Sequence, residues 1–394
     1  MNCPLYLDYA ATTPIDSSVL EAMLPYLKDR FGNPASISHD FGRRAAQAVE
    51  QSRNQIARLI NADPKEIIFT SGATESDNLA LKGVAEKYRD RGNHLITCLT
   101  EHKAVLDTCK YLEQRGYDIT YLTVDNEGLI DLDQLAWALT DKTILITIMA
   151  ANNEIGVLQP IKEIGALARE HNVFFHTDAA QAFGKIPLNV QEMNIDLLSI
   201  SAHKIYGPQG VGALYVRDKN PRVRPAAQVH GGGHELGLRS GTLNTAGIVA
   251  LAAACCLCRQ NMNSETQRLR NLTEKLYELI SDRLDFVKRN GHPEKRLPHL
   301  LNISFAYVEG ESLMMAMPDL AVSSGSACTS ATLEPSHVLK ALNVPNEWAH
   351  GSIRFSLGLY TTEKDIDHAA DCVVNAVNKM RQLSPLYETA KGKT

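Results

Sequence analysis

The feature that most constrains this chain is an alternation. From about Gly42 to Val216, short runs rich in β-branched and aromatic residues are separated by stretches of helical periodicity. The runs are Ile67 to Thr70, His94 to Thr100, Ile119 to Val124, Thr143 to Ile148, Val173 to Thr177, Leu197 to Ser201 and Val211 to Val216. Between Gly42 and Ile60, by contrast, Ala45, Val49, Ile56, Leu59 and Ile60 recur near helical spacing. Strands joined by helices are crossover units, and such units build a mostly parallel sheet with helices over its faces. The glycine-rich stretch His230 to Gly241 then interrupts the pattern. A long helical pattern runs from Ala246 towards Asp282, and strands resume at Leu301. The reading is an α/β protein with an arm over residues 1–15 that packs on the body, a large α/β domain over 16–246 and a smaller α/β C-terminal domain over 247–394.

Composition narrows the partners. Lys plus Arg number 40 against 45 Asp plus Glu, a net charge of −5, so no basic field draws the chain to nucleic acid or anionic lipid. The apolar runs Ile144 to Ala151 and Val249 to Leu257 stop far short of the roughly 20 residues that cross a bilayer. Met1 to Pro14 has no charged segment followed by an apolar one, so it reads as neither a signal nor a transit peptide. Eight Cys in 394 residues are too sparse for a disulfide framework, which places the protein in a reducing compartment, the cytoplasm.

Ile67 to Ser76 reads as strand, glycine turn and helix start, with Thr70, Ser71, Gly72, Ala73, Thr74 and Glu75 at the junction. Such a turn offers backbone N–H groups and the positive end of a helix to an anion, although plain helix capping would use the same residues. Without a Gly-Lys-Ser/Thr ending, it is not a P-loop. Asp178-Ala179-Ala180-Gln181 follows one strand and Ala202-His203-Lys204 another, and open α/β sheets bind ligands at such strand ends. An Asp to pair with a protonated ring nitrogen and a Lys to form a Schiff base are the two groups that pyridoxal 5′-phosphate requires. His102, in Thr100-Glu101-His102-Lys103, follows a further strand and faces the same cleft on this reading. Around Cys328, residues 321–334 are small and polar and offer few apolar contacts, which favours a loop and a reactive thiol. Cys255, Cys256 and Cys258 lie in an apolar helix and read as core packing. His230 and His234 lack further ligands nearby and read as part of a close-packed turn, with no metal site.

From Tyr6-Leu7-Asp8-Tyr9-Ala10-Ala11-Thr12-Thr13-Pro14 to Leu383-Ser384-Pro385-Leu386 the sequence resembles the cysteine desulfurases of the IscS/NifS type. The likeness is carried by Thr70 to Ser76, Thr100 to Lys103, Asn152-Asn153-Glu154-Ile155-Gly156, Ser201 to Lys204 and Ser323 to Ser330. The resemblance implies fold type I of the pyridoxal-phosphate enzymes, in the class V aminotransferase superfamily, and a homodimer with active sites near the subunit interface. It implies that Lys204 carries the cofactor, Asp178 pairs with the ring nitrogen, His102 stacks on the ring and Gln181 contacts its phenolic oxygen. Ala73, Thr74, Ser201 and His203 would bind the phosphate, joined by Thr242 of the other subunit. Asn153 and Arg354 would hold the substrate carboxylate.

The implied reaction converts L-cysteine to L-alanine. Lys204 moves the Cα proton, His102 shuttles protons and Cys328 takes the sulfur as a persulfide, for delivery to iron–sulfur cluster assembly and to tRNA or cofactor thiolation. A selenocysteine lyase would use the same Lys204 and Asp178, and a catalytically silent assembly partner would keep the fold alone. Housekeeping members continue past Ser-Pro-Leu into a longer tail that helps dock an iron–sulfur scaffold protein. The shorter stretch here, Tyr387 to Thr394, puts that docking route in question.

Overall fold

The computed structural model describes residues 4–324 and 335–391. A two-residue strand, β1 (Leu5–Tyr6), precedes the helices α1 (Ser17–Lys28) and α2 (Asp40–Leu59). Then come β2 (Ile67–Thr70), β3 (His94–Cys98), β4 (Asp118–Leu122), β5 (Thr143–Thr147), β6 (Phe174–Asp178), β7 (Leu197–Ser201) and β8 (Gly212–Val216). These seven form one sheet in the order β2-β8-β7-β6-β5-β3-β4. β8 pairs antiparallel with β2 and β7, and the remaining pairings are parallel. The strands β5, β6 and β7 are buried along their whole length. That explains why they read as continuous apolar runs and not as alternating ones: helices cover both faces.

The crossovers are the helices α3 (Ala73–Lys87), α4 (Lys103–Glu113), α5 (Leu132–Ala138) and α6 (Ile161–Glu170). Each turns an apolar stripe to the sheet. In α6 the buried residues are Ile161, Ile164, Gly165 and Ala168, spaced three and four apart. α2 also needs a glycine, because a Cβ on Gly42 would lie 1.8 Å from the carbonyl oxygen of Ser36.

The long helix α7 (Thr245–Ser281) joins two hydrophobic cores. Ala250, Leu251, Ala254 and Cys255 face the core of the seven-stranded sheet, and Leu269, Leu272, Leu276 and Ile280 face a second core. Among the described residues it is the one helix long and apolar enough to cross a membrane by length and composition, and its apolar residues are spent on these two cores. The second core is built on β9 (Val287–Asn290), β10 (Leu300–Phe305), β11 (Leu320–Ala321), β12 (Ser323–Ser324) and β13 (Ser352–Ser356). Four of these form an antiparallel sheet in the order β12-β13-β10-β9. Strands therefore resume at Val287, one strand earlier than the sequence pattern suggests. β9 is an edge strand carrying Lys288 and Arg289, and charge on an edge hides the apolar signal.

The N-terminal arm runs between the two cores. β1 pairs in parallel with β11, Leu7 sits in the second core and Ala10 in the first. The Ala10 N–H donates to Ser356 Oγ at 2.8 Å. This routing brings the arm's backbone over the ends of β6 and β7.

Candidate active site

At the C-terminal ends of β6 and β7 lies a cavity of about 660 Å³, lined among others by His102, Asn153, Asp178, Gln181, Lys204 and Arg354. β6 ends on Asp178, and β7 ends on Ser201, from which a single 3-10 turn, Ala202–Lys204, lifts Lys204 to the rim. Lys204 Nζ donates to the carbonyl oxygens of Ala10 at 2.7 Å and Ala11 at 2.6 Å. Gln181 Nε2 donates to the same Ala10 oxygen at 2.9 Å. His203 Nδ1 lies 3.2 Å from Thr12 Oγ1. The arm is thus a wall of the cavity.

The turn before α3 forms the next wall. Gly72 is the N-cap residue, and α3 has no side-chain cap, which leaves first-turn N–H groups for a ligand. Ser71, Ala73 and Thr74 line the cavity beside it. A Cβ on Gly72 (φ 153) or Gly210 (φ 77) would meet nothing within 4 Å, so both glycines border open space. The capping reading of this turn fails for want of a side chain, and the anion reading fits it.

His102 is the N-cap of α4, and its Nδ1 accepts the Ala104 N–H at 3.1 Å. Neutral imidazole in that arrangement carries its proton on Nε2. Asp178 accepts from the Ala180 N–H at 2.8 Å. Burial raises its pKa, and the charges of His102 and Lys204 pull the other way. Beneath it lies Asp77 on α3, fully buried and pushed well up by desolvation and by the Asp178 charge. His176 Nε2 is 3.6 Å from the Asp77 carboxyl and 3.0 Å from Ser199 Oγ, and burial lowers its pKa to about 3. Burial thus favours a neutral His176 ring and a protonated Asp77 beneath Asp178.

The opposite wall comes from β13. Arg354 is buried, donating from Nη1 to the Asn153 carbonyl at 2.8 Å and from Nη2 to Asp8 Oδ1 at 2.8 Å. Its Nε has no hydrogen-bond partner among the described residues. Ser323 Oγ donates to Asp8 Oδ2 at 2.8 Å. Glu154 accepts from the Ser336 hydroxyl, and burial raises its pKa to about 7 against that bond and the Arg354 charge.

Thr242, singled out from the sequence, is not brought into the cavity here. Thr242 is exposed and lines a separate pocket of about 90 Å³ shared with Ser71 and Gly210. Cys328 lies outside the described residues. The stretch around His230 is not close-packed: Gly231, Gly232 and Gly233 are exposed. Its buried members are Glu235, Leu238 and Ser240, and the Glu235 carboxylate takes Arg53 at 2.8 Å and the Phe69 N–H at 2.7 Å. Cys255 and Cys258 are buried in α7.

Residues 5–368 match the aminotransferase class-V family. The chain is 56% identical over 391 residues to cysteine desulfurase IscS of Methylococcus capsulatus, covering 99% of this chain and 96% of that one. It is 57% identical over 390 residues to cysteine desulfurase IscS of Photorhabdus laumondii, covering 98% and 96%. The chain belongs to the IscS cysteine desulfurases of the class-V aminotransferase family. Among solved structures, a NifS-like protein matches with a TM-score of 0.88 and 36% identity over 95% of this chain and 99% of that one. SspA in complex with cysteine matches with a TM-score of 0.81 and 42% identity, covering 91% and 100%.

Enzymes of this IscS family depend on pyridoxal 5′-phosphate, and the residues present fit that group. The uncapped start of α3 with its open glycines suits a phosphate, the buried Asp178 carboxyl wants a cationic partner, and Lys204 supplies an amine on the cavity wall. Sequence reasoning missed Asp8, Asp77, Glu101 and Glu154. Glu101 is buried and accepts the Met149 N–H at 2.6 Å, fastening the loop that carries Asn153. Asp77 had a legible signal, a charge on the apolar face of a helix with Ala80, Leu81 and Val84. Asp8 had one too, as the single charge in the arm.

Proposed function

We propose that this chain is a pyridoxal-phosphate-dependent cysteine desulfurase that converts L-cysteine to L-alanine and receives the sulfur on Cys328. The observation that carries it is the convergence of Lys204, Asp178, His102 and Arg354, from two different sheets, on one cavity. When bound, the cofactor supplies an electron sink for the substrate Cα. Lys204 Nζ holds the cofactor and then moves the Cα proton. Asp178 would favour a protonated ring nitrogen, His102 would lie against the ring and carry protons from Nε2, and Gln181 would face the phenolic oxygen. Ala73, Thr74, Ser201 and His203 would hold the phosphate, with Thr242 supplied by a second copy of the chain. Arg354 and Asn153 bind the substrate carboxylate, a planar anion matched by the guanidinium fork.

The Cys328 thiolate attacks the substrate sulfur. A sulfur–sulfur bond forms, the carbon–sulfur bond breaks, and the electron pair left on carbon takes a proton to give alanine. The persulfide then passes to acceptors that build iron–sulfur clusters or thiolate tRNA and cofactors. Residues 16–246 act as the cofactor-binding domain and 247–394 as the domain carrying the thiol, with the start of α7 packed into the first core and its end into the second.

A homodimer is supported by the apolar face of α1, where Leu20, Leu24 and Leu27 are exposed beside Phe31 and Phe41, and by Thr242 standing outside its own cavity. A cytoplasmic location is supported by the free cysteines Cys98, Cys109, Cys255, Cys256, Cys258 and Cys372. Cys328→Ser tests the function. It should bind cysteine and change the cofactor spectrum yet release no alanine, and only the wild type should gain one sulfur on the Cys328 peptide by mass spectrometry. Added sulfur on Cys255, Cys256 or Cys258 instead would refute the reading.

A further inference from the structure

Behind Gln181 lies a polar chain that the reaction does not use. Lys185 Nζ donates to Gln181 Oε1 at 3.4 Å and lies 3.1 Å from His299 Nε2. Its stem lines a small cavity of about 60 Å³ together with Cys258 and His299. The charged and titratable groups around the amine are His299, Cys258, Lys204 and Arg354. No carboxylate pairs with it among the described residues. His299 is buried and neutral, its pKa held well below the usual value by desolvation and by the Lys185 charge, so its Nε2 can accept from the amine.

A glutamine amide has an acceptor end and a donor end that differ only by a flip. Here the acceptor end takes a hydrogen bond from the Lys185 amine, which can donate whether or not burial, which lowers its pKa to about 7, leaves it protonated, and the donor end gives one N–H to the Ala10 carbonyl at 2.9 Å. A flip would set amide NH₂ against amine and carbonyl against carbonyl. The second Nε2 hydrogen is left for the cavity that Gln181 lines. We infer that Lys185, itself oriented by His299, is a positioning residue that locks the Gln181 amide with its donor turned to the phenolic oxygen of the cofactor. This rests on the assignment of Gln181 to that oxygen.

The test is a pH titration of the visible absorbance of the bound cofactor in the holoenzyme. A donor to an oxygen that gains negative charge on deprotonation lowers the midpoint, so losing it raises the midpoint. Gln181→Ala should raise it by about one pH unit, the scale of a hydrogen bond to a charged group. No shift in Gln181→Ala would overturn the assignment of Gln181, and the inference with it. Lys185→Met should raise the midpoint in the same direction, because the freed amide can turn its oxygen towards the cofactor. If Gln181→Ala shifts the midpoint and Lys185→Met does not, the assignment stands and the positioning role fails.

The double variant Gln181→Ala/Lys185→Met should match Gln181→Ala alone. Additive shifts would mean that Lys185 acts by its charge through space and not through the amide, which also overturns the inference. Lys185→Arg keeps a donor and should restore the wild-type midpoint. Lys185→Met leaves no orphaned charge. Should it nevertheless fail to fold, His299→Phe removes the acceptor that orients the amine and should give a smaller upward shift, whereas an unmoved midpoint there would count against the chain.

Discussion

The wall at the ends of β6 and β7 takes its chemistry from residues adjacent in sequence to the strands that carry them, whereas the wall at β13 takes it from residues far apart. Asp178 closes its own strand and Lys204 follows one turn after another. Arg354 meets Asn153 across 201 positions and Asp8 across 346. The first wall needs only correct strands. The second needs the arm, the loop after β5 and the small sheet assembled together, so its substrate grip reports on tertiary assembly as well as on local chemistry.

The strongest way to break this contrast is Lys204→Ala. No other residue of the strand-end wall can supply the amine, so turnover should fall by about 10³-fold or more, with loss of the absorbance of the linked cofactor. Near wild-type turnover would place the amine elsewhere, with Lys185 the neighbour to examine.

The long-range wall is probed by Arg354→Lys and Asp8→Asn. A lysine cannot reproduce the guanidinium fork, and losing a charged hydrogen bond should raise the KM for cysteine by about 10- to 100-fold. Asp8→Asn leaves Arg354 in place but removes the charge that orients it, so KM should rise by about fivefold with kcat little changed. Equal kcat losses and unchanged KM in both variants would show that this wall does not hold the substrate.

The same contrast decides what the sequence made legible. Strand ends and their following motifs could be read directly, because a run such as Leu197 to Ser201 both builds the strand and aims Lys204. The partnership of Arg354 with Asp8 could not, since neither residue has a neighbour in sequence that marks it. It depends on β1 pairing with β11 and on Ser356 binding the arm, and no periodicity encodes either. The glycine-rich stretch was misread for a related reason. Glycines there suggest close approach, but Gly231, Gly233, Gly237 and Gly241 adopt positive φ angles in exposed turns, and Glu235 and Leu236 beside them adopt positive φ as well. Glu235, the residue that anchors the stretch, finds Arg53 182 positions away.

Glu154 sharpens the comparison by adding a pH dependence to the long-range wall. Its pKa is raised from 4.5 to about 7 by burial, so the folded state binds its proton more tightly than the unfolded state does. The stabilisation from this proton is fully present below the unfolded value and is lost as pH rises through about 7. Glu154→Gln keeps an acceptor for Ser336 and carries no charge. Relative to wild type, its unfolding free energy from urea melts should improve by about 3 kcal/mol between acid conditions and about pH 8. A pH-independent difference would mean that folding leaves the pKa of Glu154 unchanged.

The smallest effect is expected furthest from both walls, on removing residues from Tyr387 onward. The Tyr387 hydroxyl donates to Asp285 Oδ1 at 3.0 Å, and its ring lies 6.2 Å from Phe286 and 6.0 Å from Tyr307, with the Arg381 guanidinium 5.1 Å away. Those contacts are worth about 1 kcal/mol together at a partly exposed site. Losing them does not orphan Arg381, which still donates to the carbonyls of Asp285, Phe286 and Ala306. The truncated enzyme should therefore melt lower by about 2 °C, and alanine production with a small-molecule thiol as acceptor should stay within about twofold of the full chain. Thermal melts and steady-state kinetics check both. Loss of the cofactor on truncation would mean that the corner formed by Asp285 and Tyr307 communicates with the β13 wall through the second core, and the two walls would then no longer be separable by distance from the tail.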